Sequence, residues 1–108
     1  MRTHQDLDKR SLAMHRLIAE KIVRNPSLFA RVHKTLEHWQ TIVSHDSQPY
    51  LKEWQGFVEK GMDACLAVAT EDSEYATALR QSSPFCGVLT SRERLMFLKT
   101  WSRDHEAQ

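Results

Sequence analysis

A chain of 108 residues with 15 basic and 14 acidic side chains, a formal net charge of +1, gives no electrostatic case for wholesale binding to nucleic acid or to an anionic membrane surface. With 41% hydrophobic residues it is long enough to close a core without staples and too apolar for extended disorder. Only three glycines and three prolines interrupt a composition in which Leu, Ala, Glu, Lys and Arg are prominent, so the expected fold is all-α: one domain over residues 1–108, a compact bundle of about five helices.

The N-terminal run MRTHQDLDKR is polar and lacks the apolar segment of a secretory signal, and no apolar run approaches the roughly 18 to 20 residues of a membrane span. A cytoplasmic protein is expected. Cys65 and Cys86 show no CxxC pairing, and in a reducing compartment they read as free thiols acting as small buried hydrophobes.

The first helix is expected over about residues 8–24. Leu12, Ala13, Met14, Leu17, Ile18, Ala19, Ile22 and Val23 wrap most of its wheel and leave mainly Arg16 and Glu20 bare, the pattern of a central helix or of one covered by a second copy. Residues 1–7 are expected to fray. Asn25-Pro26 is a stop and a restart, because asparagine caps helices and proline is tolerated in a first turn. The second helix then carries Leu28, Phe29, Val32, Leu36, Trp39 and Val43 at spacings of three and four, and the polar run Ser44-His45-Asp46-Ser47-Gln48 ends it.

A third helix from Pro49 to about Ala69 has the stripe Leu51, Trp54, Val58, Met62, Cys65, Ala69, weakened locally at Gly56 and Gly61. It should pack on the second helix. Thr70, Asp72 or Ser73 can cap a short fourth helix that packs through Tyr75, Ala76 and Leu79. Ser82-Ser83-Pro84 breaks it. The connector Phe85-Cys86-Gly87-Val88-Leu89 is too apolar for a solvated loop and should fold back over the core. Thr90 and Glu93 have capping-box spacing, so a last helix should start at Ser91. Leu95, Leu98 and Trp101 share one of its sides, Phe97 widens that side, and Arg92, Arg94, Lys99 and Arg103 are left for water or a partner. Residues 103–108 are expected to fray.

Chemistry-bearing constellations are few. His33 and Glu37 have a four-residue spacing, but two ligands do not make a structural metal site, and no metal or cofactor is expected. A nucleophile with its base can be nominated from Cys86, His45 and Asp46, or from Ser83 and His15. Nothing in the sequence forces either set together, and no catalytic residue is expected. Such a reading requires a concave pocket holding a cysteine or histidine with a polar partner. Trp39, Trp54 and Trp101 all fall on apolar stripes and read as core.

The run Leu89-Thr90-Ser91-Arg92-Glu93-Arg94 resembles the opening of the helix-turn-helix in LuxR-type response regulators, where a similar Leu-Thr-x-Arg-Glu run caps the first helix. The resemblance covers this short motif and implies the same capping chemistry. In length, N-terminus and helical arrangement the chain is also similar to small bacterial operon proteins of the toxin-antitoxin kind, which implies a regulatory interaction module and carries over no functional residue.

The expected function is a non-enzymatic interaction or regulatory module that buries an apolar face against itself or another protein. Phe85, Val88, Leu89, Arg92, Arg94 and Lys99 are the candidate partner-binding residues. The alternative is a nucleic-acid-associated regulator that sets Arg92, Arg94, Lys99 and Arg103 against phosphates on one open face.

Overall fold

Six α-helices and one 3₁₀ turn make up all the regular structure among residues 4–42 and 48–106, the part of the chain that the computed structural model describes. They are α1 (His4–Arg24), the 3₁₀ turn Pro26–Leu28, α2 (Phe29–Ile42), α3 (Gln48–Lys60), α4 (Met62–Ala69), α5 (Glu74–Arg80) and α6 (Ser91–Glu106). Val43 of the expected second-helix stripe and Ser44, His45, Asp46 and Ser47 of the expected polar link lie outside the described residues, and Gln48, expected in that link, begins α3.

The all-α expectation holds, and the helix count rises from five to six because the expected third helix is two. Gly61 separates them with φ +122°, a backbone conformation that costs a side-chain-bearing residue dearly. Its amide still bonds to the Val58 carbonyl at 3.1 Å, and its carbonyl accepts from Cys65 at 3.1 Å. The chain therefore turns at one residue and resumes helix at once. Asn25 stops α1 as expected: its amide donates to the carbonyls of Lys21 and Ile22 at 3.0 and 3.1 Å. Its side chain does not cap the following turn, however, because Asn25 Oδ1 accepts from the Ser27 hydroxyl at 2.7 Å. Of the three candidate caps for α5, Ser73 serves, its hydroxyl accepting from the Ala76 amide at 3.1 Å. At the other expected frays, α1 starts at His4 and α6 continues to Glu106.

The core is built around α4. Its Cys65, Leu66, Val68 and Ala69 are buried, and it packs against α1, α3 and α5. This displaces α1 from the central place its composition suggested. α1 buries one face only, through Leu12, His15, Ile18 and Ile22, and leaves Val23 61% exposed. α2 contributes Val32 and Leu36, and α3 packs beside it through Leu51, Trp54 and Val58. Trp54 is fully buried, and its indole N–H donates to the Leu79 carbonyl of α5 at 2.9 Å. Trp39 is half-buried against the core. Cys65 is buried, and that burial pushes its thiol up to about 12; Cys86 is exposed, contrary to expectation.

The connector folds back as expected, and Phe85 and Val88 are each 1% exposed. α6 behaves differently from every other helix: no residue of 91–105 is buried. The stripe that includes Leu98 and Trp101 does not enter the core.

Adding a methyl group at Gly61 meets no atom within 4 Å, so any penalty there is conformational. Gly61→Ala is expected to lower unfolding stability by about 1–3 kcal/mol, measured as a shifted urea midpoint with unchanged m-value.

Candidate functional site

The connector is held in place by side chains from three directions. Lys21 of α1 donates to the Val88 carbonyl at 2.8 Å, and Arg31 of α2 donates to the Gly87 carbonyl at 3.2 Å. The third tie is buried. His15 Nδ1 lies 2.7 Å from the Ser11 carbonyl, which can only accept, so that nitrogen carries the proton. In the neutral ring Nε2 is then an acceptor, and Ser83 Oγ, 2.7 Å away, donates to it. The Phe85 amide donates to the same hydroxyl at 3.3 Å. Burial is the main reason the His15 pKa is lowered; the nearby Arg80 charge also lowers it, against the opposing pull of the Ser11 carbonyl.

These directions are those of a nucleophile and base oriented by a third group. Of the two nucleophile sets open from the sequence, the fold thus joins Ser83 to His15 across 68 residues. His45 and Asp46 lie outside the described residues. The group behind His15 is a backbone carbonyl, which fixes the tautomer but supplies no negative charge.

Above the pair lies a cleft of about 270 Å³ between α1, the connector and the start of α6. Leu7, Met14, Ile18, Phe85 and Leu89 give it apolar walls, and Arg10, Arg80 and Arg94 are among its lining residues, with no Asp or Glu in that lining. Arg80 is only 6% exposed. Its terminal nitrogens donate to the carbonyls of Ala69 (3.2 Å) and Glu71 (2.8 Å) and to the Thr77 hydroxyl (3.1 Å), while its buried Nε has no partner. Burial lowers its pKa, and Asp72 and Asp8 oppose this from a distance. Sequence reasoning gives Arg10 and Arg80 no role, since nothing local distinguishes an arginine that a fold will bury.

The six candidate partner-binding residues do not form one surface. Phe85 and Val88 are in the core, where Phe85 sets its ring edge against His15 at 5.8 Å and Trp54 at 5.5 Å. Leu89 is half-buried at the cleft. Arg92, Arg94 and Lys99 are exposed on α6. At 100° per residue, Arg92, Lys99 and Arg103 form one stripe, while Arg94 lies on the other side of the helix, toward the cleft. The one open face of four basic residues is therefore not formed.

α6 is fixed at its first turn. Thr90 and Glu93 make the reciprocal capping box, with the Thr90 amide donating to the carboxylate at 2.8 Å and the Glu93 amide donating to the hydroxyl at 3.1 Å. The same carboxylate pairs with Lys21. That lysine, followed by the Thr90 amide, holds the Glu93 carboxyl at a pKa of about 2. Further along, Phe97, Trp101 and His105 stack in sequence, with centroid distances of 6.1 and 3.6 Å.

No family model, curated protein or solved structure matches the chain. Among the described residues no helix is long and apolar enough to cross a membrane, and no group of three or more His, Cys, Asp or Glu is placed to hold a metal ion.

Ser83→Ala leaves the buried Nε2 of His15 without a donor and is expected to cost about 1–3 kcal/mol, read by urea denaturation. The pH dependence has two windows. His15 has its folded pKa below the ordinary value of 6.5, so acid favours the unfolded chain: stability is full above 6.5 and falls below it. Glu93 contributes above its ordinary 4.5, and that contribution is lost as pH falls toward 2. Denaturation midpoints across pH should show the upper slope flatten in His15→Gln and the lower one flatten in Glu93→Gln.

Proposed function

We propose that this protein is a helical interaction module and that α6 is the element it offers to another protein. The observation that carries this reading is the exposure of α6: Leu95, Met96, Phe97, Leu98 and Trp101 sit on a helix with no buried residue from 91 to 105, and Leu95 and Met96 are 53% and 59% exposed. Helices of this length gain most of their stability in water by packing an apolar face. α6 has its cap and its ion pair to α1 at one end, and a partner supplies the packing along the rest.

The outer face sets the chemistry of that partner. Leu95 and Met96 flank the stripe of Arg92, Lys99 and Arg103, so the complementary surface is acidic along its centre and apolar to either side. Opposite charges speed encounter and fix register, and the apolar contacts beside them supply most of the affinity. A second copy docked through the same outer face would set this basic stripe against itself, which favours a different protein.

The test compares the wild-type chain with Leu95→Ser/Met96→Ser, a change confined to exposed side chains that should leave the helical circular dichroism unaltered. The wild type should be a monomer by light scattering and should retain an acidic protein that the double variant loses, with affinity lowered tenfold or more. Equal retention by both chains overturns the reading. So does salt-steep binding to duplex DNA that is weakened by Lys99→Ala, which would establish the nucleic-acid alternative.

A further inference from the structure

The cleft over His15 and Ser83 goes beyond the docking role of α6, and its chemistry is one-sided. Three arginines and no Asp or Glu are among its lining residues, while Asp8 lines the adjoining cleft that shares Leu7, Ser11, Arg80 and Gln81 with it. Arg80 is the most telling of them. The residue is 6% exposed, its terminal nitrogens donate to two backbone carbonyls and a hydroxyl, and its Nε–H is buried without an acceptor. No carboxylate of the described residues forms an ion pair with it; Lys21 pairs with Glu93 and Arg103 with Asp104. Asp72, Asp8 and Glu71 act on it only through longer-range attraction. A guanidinium removed from water and left without a counter-charge is costly, and an anion bound beside it offsets that cost.

The rest of the lining says what the anion is attached to. Met14, Ile18, Phe85 and Leu89 present apolar walls, suited to a hydrocarbon body and of no use to a bare inorganic ion. The volume of about 270 Å³ is just under the roughly 300–1,000 Å³ typical of ligand pockets, so the occupant is small. Ser83 does not bind it as a donor, because its hydroxyl proton is already directed to His15. Guanidinium groups meet carboxylate and phosphate oxygens through the same paired N–H geometry.

We propose that this cleft binds a small amphiphilic anion, a carboxylate or phosphate monoester with a short hydrocarbon chain, its charged head held by Arg10, Arg80 and Arg94 and its chain laid against Met14, Ile18 and Leu89. Arg94 is the informative position for a test, since it is exposed at the start of α6, whereas replacing Arg80 removes the ties to Ala69, Glu71 and Thr77 and endangers the fold.

Calorimetric titration of the full chain with hexanoate and with hexyl phosphate provides the test, with hexanol, hexylamine and inorganic phosphate as controls. At least one of the two anions should bind with one-to-one stoichiometry; which one does identifies the head group. Hexanol and hexylamine should not bind, and inorganic phosphate should bind at least tenfold more weakly than the better anion. Arg94→Gln should weaken binding about tenfold, with an unchanged thermal unfolding midpoint in the absence of ligand. The proposal is overturned if neither anion binds by about 10 mM, if hexylamine or inorganic phosphate binds equally well, or if Arg94→Gln binds as the wild type does. Because neither Leu95 nor Met96 lines the cleft, the Leu95→Ser/Met96→Ser chain should titrate like the wild type, which keeps this result separate from the docking role.

Discussion

The folding of the connector turns on a buried imidazole. His15 sits on the inner face of α1, among side chains that cannot satisfy it, and a buried polar ring needs a partner at each nitrogen. One is available within its own helix, the Ser11 carbonyl. The other must come from elsewhere in the chain, and Ser83 supplies it. That hydrogen bond places Pro84 and Phe85 over the core, sets the Phe85 ring edge against both His15 and Trp54, and so joins α1 to α3. Trp54 in turn bonds to the last turn of α5. The connector of residues 81–90, the longest stretch without a helix among the described residues, is thereby tied to the core. Its carbonyls at Gly87 and Val88 accept from Arg31 and Lys21.

α6 inherits its position from the same device. Lys21 donates both to the connector and to Glu93, so a single ammonium couples the end of the connector to the cap of the last helix. Beyond that first turn the helix relies on interactions within itself. The ladder of Phe97, Trp101 and His105 runs at four-residue steps, the spacing at which helical side chains meet. Such pairs contribute a few tenths of a kcal/mol each, far less than the burial of one large side chain in a core. This disparity gives α6 a defined start and a long outer surface that remains to be covered.

The features legible in the sequence are those decided within a few residues. Thr90 and Glu93 announce their mutual cap, Asn25-Pro26 announces the end of one helix, and the three-and-four spacing of Leu51, Trp54 and Val58 marks a face that is in fact buried. Gly61 was legible as a weak point, but whether a glycine softens a helix or breaks it depends on whether the neighbours need the chain to turn. Periodicity has no means of telling a stripe that meets the core from one that does not. Leu98 and Trp101, three apart, fit a helical face as well as Val32 and Leu36, four apart, yet only the latter pair is buried. The breadth of the apolar surface on α1 misled in the same way, since Val23 satisfies the pattern and faces outward.

The charge distribution shows why the cleft stayed hidden. A net charge of +1 excludes a strong global field, but it constrains no local one. Arg10, Arg80 and Arg94 are separated by 70 and 14 positions, and each belongs to a different helix. They become neighbours because the His15–Ser83 bond draws the connector, and with it the start of α6, down onto α1. The acidic residues that balance them in the total, such as Asp72 and Glu74, are exposed near the start of α5, away from the cleft lining. Three arginines distant in sequence thus come to line one cleft with no Asp or Glu among its lining residues, beside the hydrogen bond that ties the connector to α1.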